Sequence, residues 1–323
     1  MERASQIIEL NESQIENIFS EYLGNKGQLQ SFSSFSLGAV NTSYKIIWDN
    51  IPYVLRLYIR DSKLAYVEKS VYQLVEKRIS VPKLFYSGSY KKLFTFGIFE
   101  FIDKKHIFEI SDISLTNILS YELGKVLATI HSFHFPRAGL FGKGFTIHTP
   151  FKEGSSPYFD FIMKIFSKSS LAWKRLGDKR AIDLKNFIIK YQKYFPTIHK
   201  GGVLIHSDFK PVNLLWNKQD GLTVLDWEFA HIGHPLLDLG ILLRHFHEFP
   251  FNIKSFKEGY LKNRGILPDD WIRKARITDT INIIQLLNRP KERPQFFNFL
   301  LSSIDLTISN WLTIKELIKS KDR

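Results

Sequence analysis

Apolar side chains recur at helical spacing over residues 12–23, ESQIENIFSEYL, where Ile15, Ile18, Phe19 and Tyr22 fall on one face behind Asn11, a residue type that caps helix N-termini. The pattern then changes. LQSFSSFSL, SYKIIWD and PYVLRLYIR are separated by the turn signals GAVN and DNIP and predict three antiparallel strands. Helical period returns at 63–78, with Leu64, Val67, Val71, Leu74 and Val75 on one stripe and Asp61 as the predicted cap. Two further strands are predicted near 83–87 and 93–101.

From about Ser114 the chain reads mostly as helix, beginning with YELGKVLATIHSF. Helices are predicted near 158–172, 180–199, 236–247, 253–263, 268–288 and 294–318. Residues 135–157, rich in Gly, Pro and Ser, read as a long ordered loop. The shift in character places a boundary near 102–112, dividing a β-rich unit, 1–102, from a helical one, 103–323. The fold class is α+β.

At 323 residues and 44% hydrophobic the chain can bury a sizeable core. It has no cysteine, which excludes disulfides, thiolate zinc sites and Cys nucleophiles and makes a reducing compartment, the cytoplasm, the expected location. MERASQIIELNESQ lacks a basic start followed by a long apolar core, and no apolar run is long enough for a bilayer, so neither secretion nor a membrane partner is expected. The net charge of +13 invites a polyanion partner. The basic pairs, such as Lys91-Lys92 and Lys179-Arg180, are nevertheless scattered through amphipathic sequence, the pattern of a solvated surface, which argues against nucleic-acid binding.

The densest chemistry lies in VLIHSDFKPVNLLWNKQDGLTVLDWEFAHIG, residues 203–233. His206, Asp208, His231 and His234 have ligand-type side chains but not the helical-turn spacing usual in a catalytic zinc site. Ser207 lies between His206 and Asp208 in extended sequence, where it would point away from both, and there is no Gly-x-Ser-x-Gly elbow, so a hydrolase triad fits poorly. The order His206-x-Asp208-x-Lys210-x-x-Asn213, followed by Asp226 after the apolar TVL, resembles the catalytic loop and metal-binding aspartate of the kinase superfold. In that likeness Asp208 accepts or orients the proton of an attacking hydroxyl, Lys210 neutralises the transferring phosphoryl group, Asn213 and Asp226 hold magnesium, and His206 packs within the loop.

The continuation departs from protein kinases. His206-Ser207-Asp208 stands for HRD, Asp226-Trp227-Glu228 for DFG, and DWEFAHIGHPLLDLG carries no APE signal. With Gly233, Pro235, Asp238 and Leu239 in the last element, the string resembles the aminoglycoside phosphotransferase family, which includes choline-kinase-like small-molecule kinases; LGKVLATIHSF, 123–133, fits the same family, with His131 a structural hydrogen-bonder. The resemblance implies a bilobal protein-kinase-like fold, with a small antiparallel-sheet N-lobe carrying one main helix and a larger, mostly helical C-lobe. It also implies Mg-ATP-dependent phosphorylation of a small molecule's hydroxyl group.

The same resemblance assigns nucleotide contacts. FSLGAVNTSYKI resembles the nucleotide loop, with Gly38 and Asn41 in the turn, although a plain hairpin turn reads equally well. Arg56 in VLRLY stands where protein kinases place a strand lysine, and Glu68 in the following helix is its predicted ion-pair partner. FTFGIFEFID resembles the hinge, with backbone groups of Glu100 and Ile102 meeting the adenine edge and Phe99 behind it; a buried edge strand is the alternative. Arginine in place of lysine leaves an ATP-binding, pseudokinase-like interaction module as the second functional reading. Aminoglycosides are polycations, and a basic chain without an acidic cluster in 246–323 beyond Asp269-Asp270 argues against that substrate.

Overall fold

Alternation of apolar residues builds the first lobe. The computed structural model describes residues 2–3, 5–24, 26–35, 40–58 and 62–319. Strands β1 (Leu29–Ser34), β2 (Thr42–Trp48), β3 (Ile51–Tyr58), β4 (Leu84–Tyr90) and β5 (Phe94–Glu100) pair antiparallel in the order β1-β2-β3-β5-β4. In β3, Tyr53, Leu55 and Leu57 point to one face and pack with Ile15, Ile18 and Phe19 of helix α1 (Glu12–Leu23). Asn11 caps α1 as predicted: its side chain accepts from Gln14 N–H, and Gln14 reciprocates by accepting from the Asn11 backbone. The opposite face of β3 presents Val54 and Arg56 to a cleft. Helix α2 (Ser62–Val75) follows; its predicted cap Asp61 lies outside the described residues.

The second lobe is mostly helical. Its first long helix, α3 (Thr116–His131), packs against the helix Ile253–Lys262 at Gly124, where an added Cβ would stand 2.1 Å from the carbonyl oxygen of Phe256. Short strands Gly202–Ile205 and His231–Gly233 pair with each other in one small sheet. Leu214–Asn217 and Gly221–Val224 form a hairpin extended by Lys105–His106. These pairings fold the chemically dense segment 203–233 into tight loops between strand ends.

Four expectations need correction. Residues 135–157 are not a plain loop, because Gly139–Phe141 and Ile147–Pro150 add strands to the small sheet; runs of three and four residues are too short to show a two-residue period. The helix expected over 158–172 is two, Pro157–Ile165 and Leu171–Leu176, because Ser170 caps a new start by accepting from Trp173 N–H. The segment 268–288 begins only at Trp271, after Asp270 in a left-handed conformation, and is interrupted at Asp279; the last helix likewise stops at Ser309 before Ile314–Lys319. The architecture is the predicted α+β one of a small antiparallel-sheet lobe and a larger helical lobe. No helix among the described residues is long and apolar enough to cross a membrane.

Candidate active site

Between the lobes lies a cavity of about 560 Å³. Nine of the ten predicted site residues line it: Asn41, Arg56, Glu68, Glu100, Ile102, Asp208, Lys210, Asn213 and Asp226. The tenth, Gly38, lies outside the described residues.

The loop after strand Gly202–Ile205 is pinned from below. Asp238, fully buried near the start of the helix Leu236–Arg244, accepts the backbone N–H of His206 through Oδ2 (2.7 Å) and of Ser207 through Oδ1 (2.6 Å). His131 Nε2 lies 3.2 Å from the same carboxylate, and its Nδ1 lies 2.7 Å from the Tyr260 hydroxyl. Burial works to raise the Asp238 carboxyl, but His131 and then His206 outweigh it and hold it below the ordinary range. The clamp holds Ser207 at φ +63°, a region that L-residues seldom occupy. His206 is fixed in one tautomer: Nε2 donates to the Leu225 carbonyl (2.9 Å), while Nδ1 accepts from Asp208 N–H (3.2 Å).

Asp208 therefore emerges at a constrained position. Lys210 Nζ stands 2.9 Å from its Oδ2, and Asn213 Nδ2 donates both to that oxygen (2.8 Å) and to the Asp208 carbonyl (2.9 Å). Asn213 spends its amide nitrogen in this way, leaving the side-chain oxygen, the atom of the amide able to ligate a cation. The Asn213 carbonyl accepts from Leu225 N–H (2.9 Å), which brings this loop beside Asp226.

Asp226, also left-handed at φ +63°, meets the first lobe. Arg56 Nη2 donates to its Oδ1 at 2.6 Å, with Glu228 at 3.6 Å and Glu68 at 3.7 Å. Glu68 is held by the Tyr58 hydroxyl (2.5 Å) and by Trp227 N–H (3.1 Å), and Asn41 donates to Glu228 at 2.6 Å. Three carboxylates thus converge on one guanidinium. Burial would raise Asp226, but Arg56 outweighs it and keeps the carboxyl below its ordinary range. Burial wins at Glu68, which is raised, and at Glu228, which burial and neighbouring Asp226 push up to about 7. Magnesium that retains water and phosphate oxygens needs only one or two protein oxygens, a number that Asp226 and Asn213 supply, so the donor set fits that ion. Among the described residues no group of three or more His, Asp or Glu is arranged to hold a metal by itself.

At the opposite end, Phe99 packs on Tyr72 at a centroid distance of 5.6 Å, and Glu100 N–H donates to the Lys83 carbonyl (2.9 Å). The carbonyl is then the backbone group of Glu100 that can face a nucleotide. His231 borders the cavity, with Nδ1 3.2 Å from the Phe229 carbonyl, whereas His234 does not line it and its Nδ1 accepts from Leu236 N–H; burial lowers both imidazoles, His234 to about 4. The sequence reading missed Glu228 and Tyr58 as members of the charge cluster. It also missed Arg244, Arg289 and Arg293, which line the cavity from the C-terminal helices. The string DWE contained Glu228, but only its burial against Arg56 gives it a place.

The model of the phosphotransferase enzyme family matches residues 31–271. Aminoglycoside phosphotransferase APH(4)-Ia superposes with a TM-score of 0.67 at 13% identity, covering 93% of this chain and 99% of that one; one structure of that enzyme is a ternary complex with ADP and hygromycin B. Aminoglycoside 2'-phosphotransferase-IIIa in its GDP complex gives 0.67 at 15% identity, covering 93% and 99%. A putative aminoglycoside phosphotransferase from Ralstonia eutropha JMP134 gives 0.67 at 14%, covering 95% and 99%. These superpositions show the bilobal kinase-like fold. A curated relative, acyl-CoA dehydrogenase family member 11 of Gallus gallus, is 28% identical over 145 residues, 43% of this chain; the match spans only 16% of the relative's length.

Proposed function

The chain belongs to the phosphotransferase enzyme family, and from that premise we propose that it transfers the γ-phosphoryl group of ATP to a hydroxyl group of a small molecule. The observation that carries this reading is the placement of Asp208 in one cavity with Arg56 and Asp226, fixed by Lys210 and Asn213. Asp208 orients the acceptor hydroxyl and takes its proton as the oxygen attacks phosphorus and ADP departs. Lys210 offsets negative charge on the transferring group, and Arg56, steadied by Glu68, faces the nucleotide phosphates. Residues 1–102 form the nucleotide-binding lobe, with Asn41 of the strand-turn segment and backbone groups of Glu100 and Ile102 toward the nucleotide; 103–323 carry the catalytic loop and the acceptor pocket. Asp226 and the Asn213 oxygen would hold magnesium, which supplies charge neutralisation at the phosphates when bound.

Acceptor-dependent ADP release across a panel of hydroxyl compounds tests this reading. Asp208→Asn is expected to lower kcat by about 10²-fold or more while the protein stays folded. Undiminished transfer by that variant would overturn the assignment of the base. The second reading, a nucleotide-binding module without transfer, draws on Arg56 in the strand-lysine position. It gains if ATP with magnesium raises Tm and no acceptor consumes ATP.

A further inference from the structure

The wall of the cavity beyond the catalytic loop is built from arginine. The helix Leu236–Arg244 carries Asp238 to the loop and, six residues or about 9 Å further along its axis, Arg244 to the cavity. His245 follows and lines the same cavity as Asp208 and Lys210, so this wall faces the space in which transfer takes place. Arg289 and Arg293 complete it from the chain that follows the helix Thr280–Leu287. Among the described lining residues from Arg244 onward there is no Asp or Glu.

The local carboxylates only partly offset Arg244 and Arg293. Asp279, fully buried, stands 3.2 Å from Arg244, but buried Arg276 shares its field, so one carboxylate serves two guanidiniums. Glu2 helps to offset Arg293, yet its side chain accepts from the backbone N–H groups of Gln295 and Phe296, and the Arg293 contact goes to the Glu2 carbonyl (2.9 Å). Glu292 is paired with Arg175, and Glu248 with His245. Arg293 is only 3% exposed, is braced over the Phe296 ring at 4.1 Å, and its buried Nη2 has no hydrogen-bond partner among the described residues. A desolvated guanidinium N–H at the edge of a cavity is a strong acceptor-seeking group.

Resting on the reading of this site as a phosphotransfer centre, we infer that the hydroxyl acceptor carries an anionic group, a carboxylate or a phosphate ester, which Arg289 and Arg293 bind with Arg244 behind them. A polycation would face the same wall with like charge, which costs affinity. The arginines are specificity-determining: they hold the far end of the acceptor so that its hydroxyl reaches Asp208.

Binding and turnover test this separately. Inorganic phosphate and malonate are titrated into the ADP-loaded protein at constant ionic strength against chloride. Either anion is expected to raise Tm by about 2–4 °C, and Arg289→Gln and Arg293→Gln each to remove most of the shift. The stronger anion identifies phosphate ester or carboxylate. Shifts no larger than with chloride would overturn the inference, and so would shifts unchanged in both variants. For turnover, matched pairs are compared, gluconate and glucose 6-phosphate against glucose, and glycerate against glycerol, with kanamycin as the polycation. Acidic members are expected to be preferred by about 10–100-fold in kcat/KM, and Arg289→Gln to collapse that ratio. Preference for kanamycin or the neutral partner, or a loss in the variant confined to the KM for ATP, would refute it. Anion-dependent Tm shifts without acceptor-dependent ATP turnover on any of these compounds would instead strike the phosphotransfer reading and leave the anion site standing.

Discussion

Arg56 and Asp226, separated by 170 residues in the chain, are joined by a 2.6 Å ion pair that ties β3 of the small lobe to the segment 203–233 of the large one. The partner expected from sequence, Glu68, is further from the guanidinium, at 3.7 Å, and Glu228 completes the group at 3.6 Å. Arg56 is thus the shared counter-charge for three carboxylates. Its planar fork suits that task better than an ammonium, which would concentrate its charge on fewer oxygens.

Removing that charge should be costly. Arg56→Met leaves Glu68, Asp226 and Glu228 facing one another and is expected to lower unfolding free energy by about 3 kcal/mol in urea denaturation, with Arg56→Lys intermediate. Millimolar magnesium should restore part of the loss in Arg56→Met, because a divalent cation can take the vacated role. Equal stability of Arg56→Met and wild type would show that the carboxylates are neutralised by other means.

Asp238 lies beneath the 206–213 loop and does not itself line the cavity, which its carboxylate meets only through the backbone N–H of Ser207, so its effect should be on positioning. In Asp238→Asn one amide nitrogen must oppose a backbone N–H of His206 or Ser207, or the His131 Nε2, leaving a buried donor unpaired. Stability should fall by about 2 kcal/mol. Turnover should drop at least tenfold with KM for ATP nearly unchanged, because Ser207 is released from φ +63° and Asp208 moves with it. Steady-state kinetics and thermal unfolding check both halves.

Gly124 offers a contrast remote from the chemistry. Alanine gains up to about 1 kcal/mol in helix propensity. Its Cβ would meet Phe256 O at 2.1 Å and Tyr260 N at 2.7 Å, both backbone atoms of the packed helix Ile253–Lys262, so the helices must separate. Overpacking of about 2–3 kcal/mol should win. The net expectation for Gly124→Ala is a loss of about 1–2 kcal/mol in chemical denaturation, and an unchanged or higher stability would place the helices further apart than they are here.

Legibility in the sequence tracked the range of the interaction concerned. The cap Asn11, the strands β2 and β3 and the helix α3 follow from local period and turn chemistry, and they stand where predicted to within a few residues. The order Asp208, Lys210, Asn213, Asp226 was visible because one loop and one hairpin hold them all. Glu228 bonded to Asn41 across 187 residues was not, since no spacing encodes a contact made between the two lobes. The arginine wall was hidden for a related reason: in NRPKERPQ, Arg289 and Arg293 read as solvated charges until tertiary packing buries Arg293 under Phe296.

Two buried groups should make opposite contributions to stability over nearly the same pH range. Burial lowers His234 from 6.5 to about 4, so between those values the unfolded chain binds the extra proton and stability falls as pH falls. Glu228 is raised from 4.5 to about 7, so between those values the folded chain holds the extra proton and stability falls as pH rises. Each changes stability by about 3 kcal/mol across its window, at about 1.4 kcal/mol per unit, so the two opposing slopes largely cancel over pH 5–6 in the wild type. Single variants should separate them. His234→Asn keeps an acceptor for Leu236 N–H and removes the titration; relative to wild type it should gain stability as pH falls from 6.5 to 4. Glu228→Gln keeps an oxygen for Asn41 and should gain relative stability as pH rises from 4.5 to 7. Unfolding free energies measured by urea denaturation at half-unit pH intervals give the two difference curves. Parallel curves for both variants, or slopes of the opposite sign, would refute the assignment of these groups as the opposing titrations.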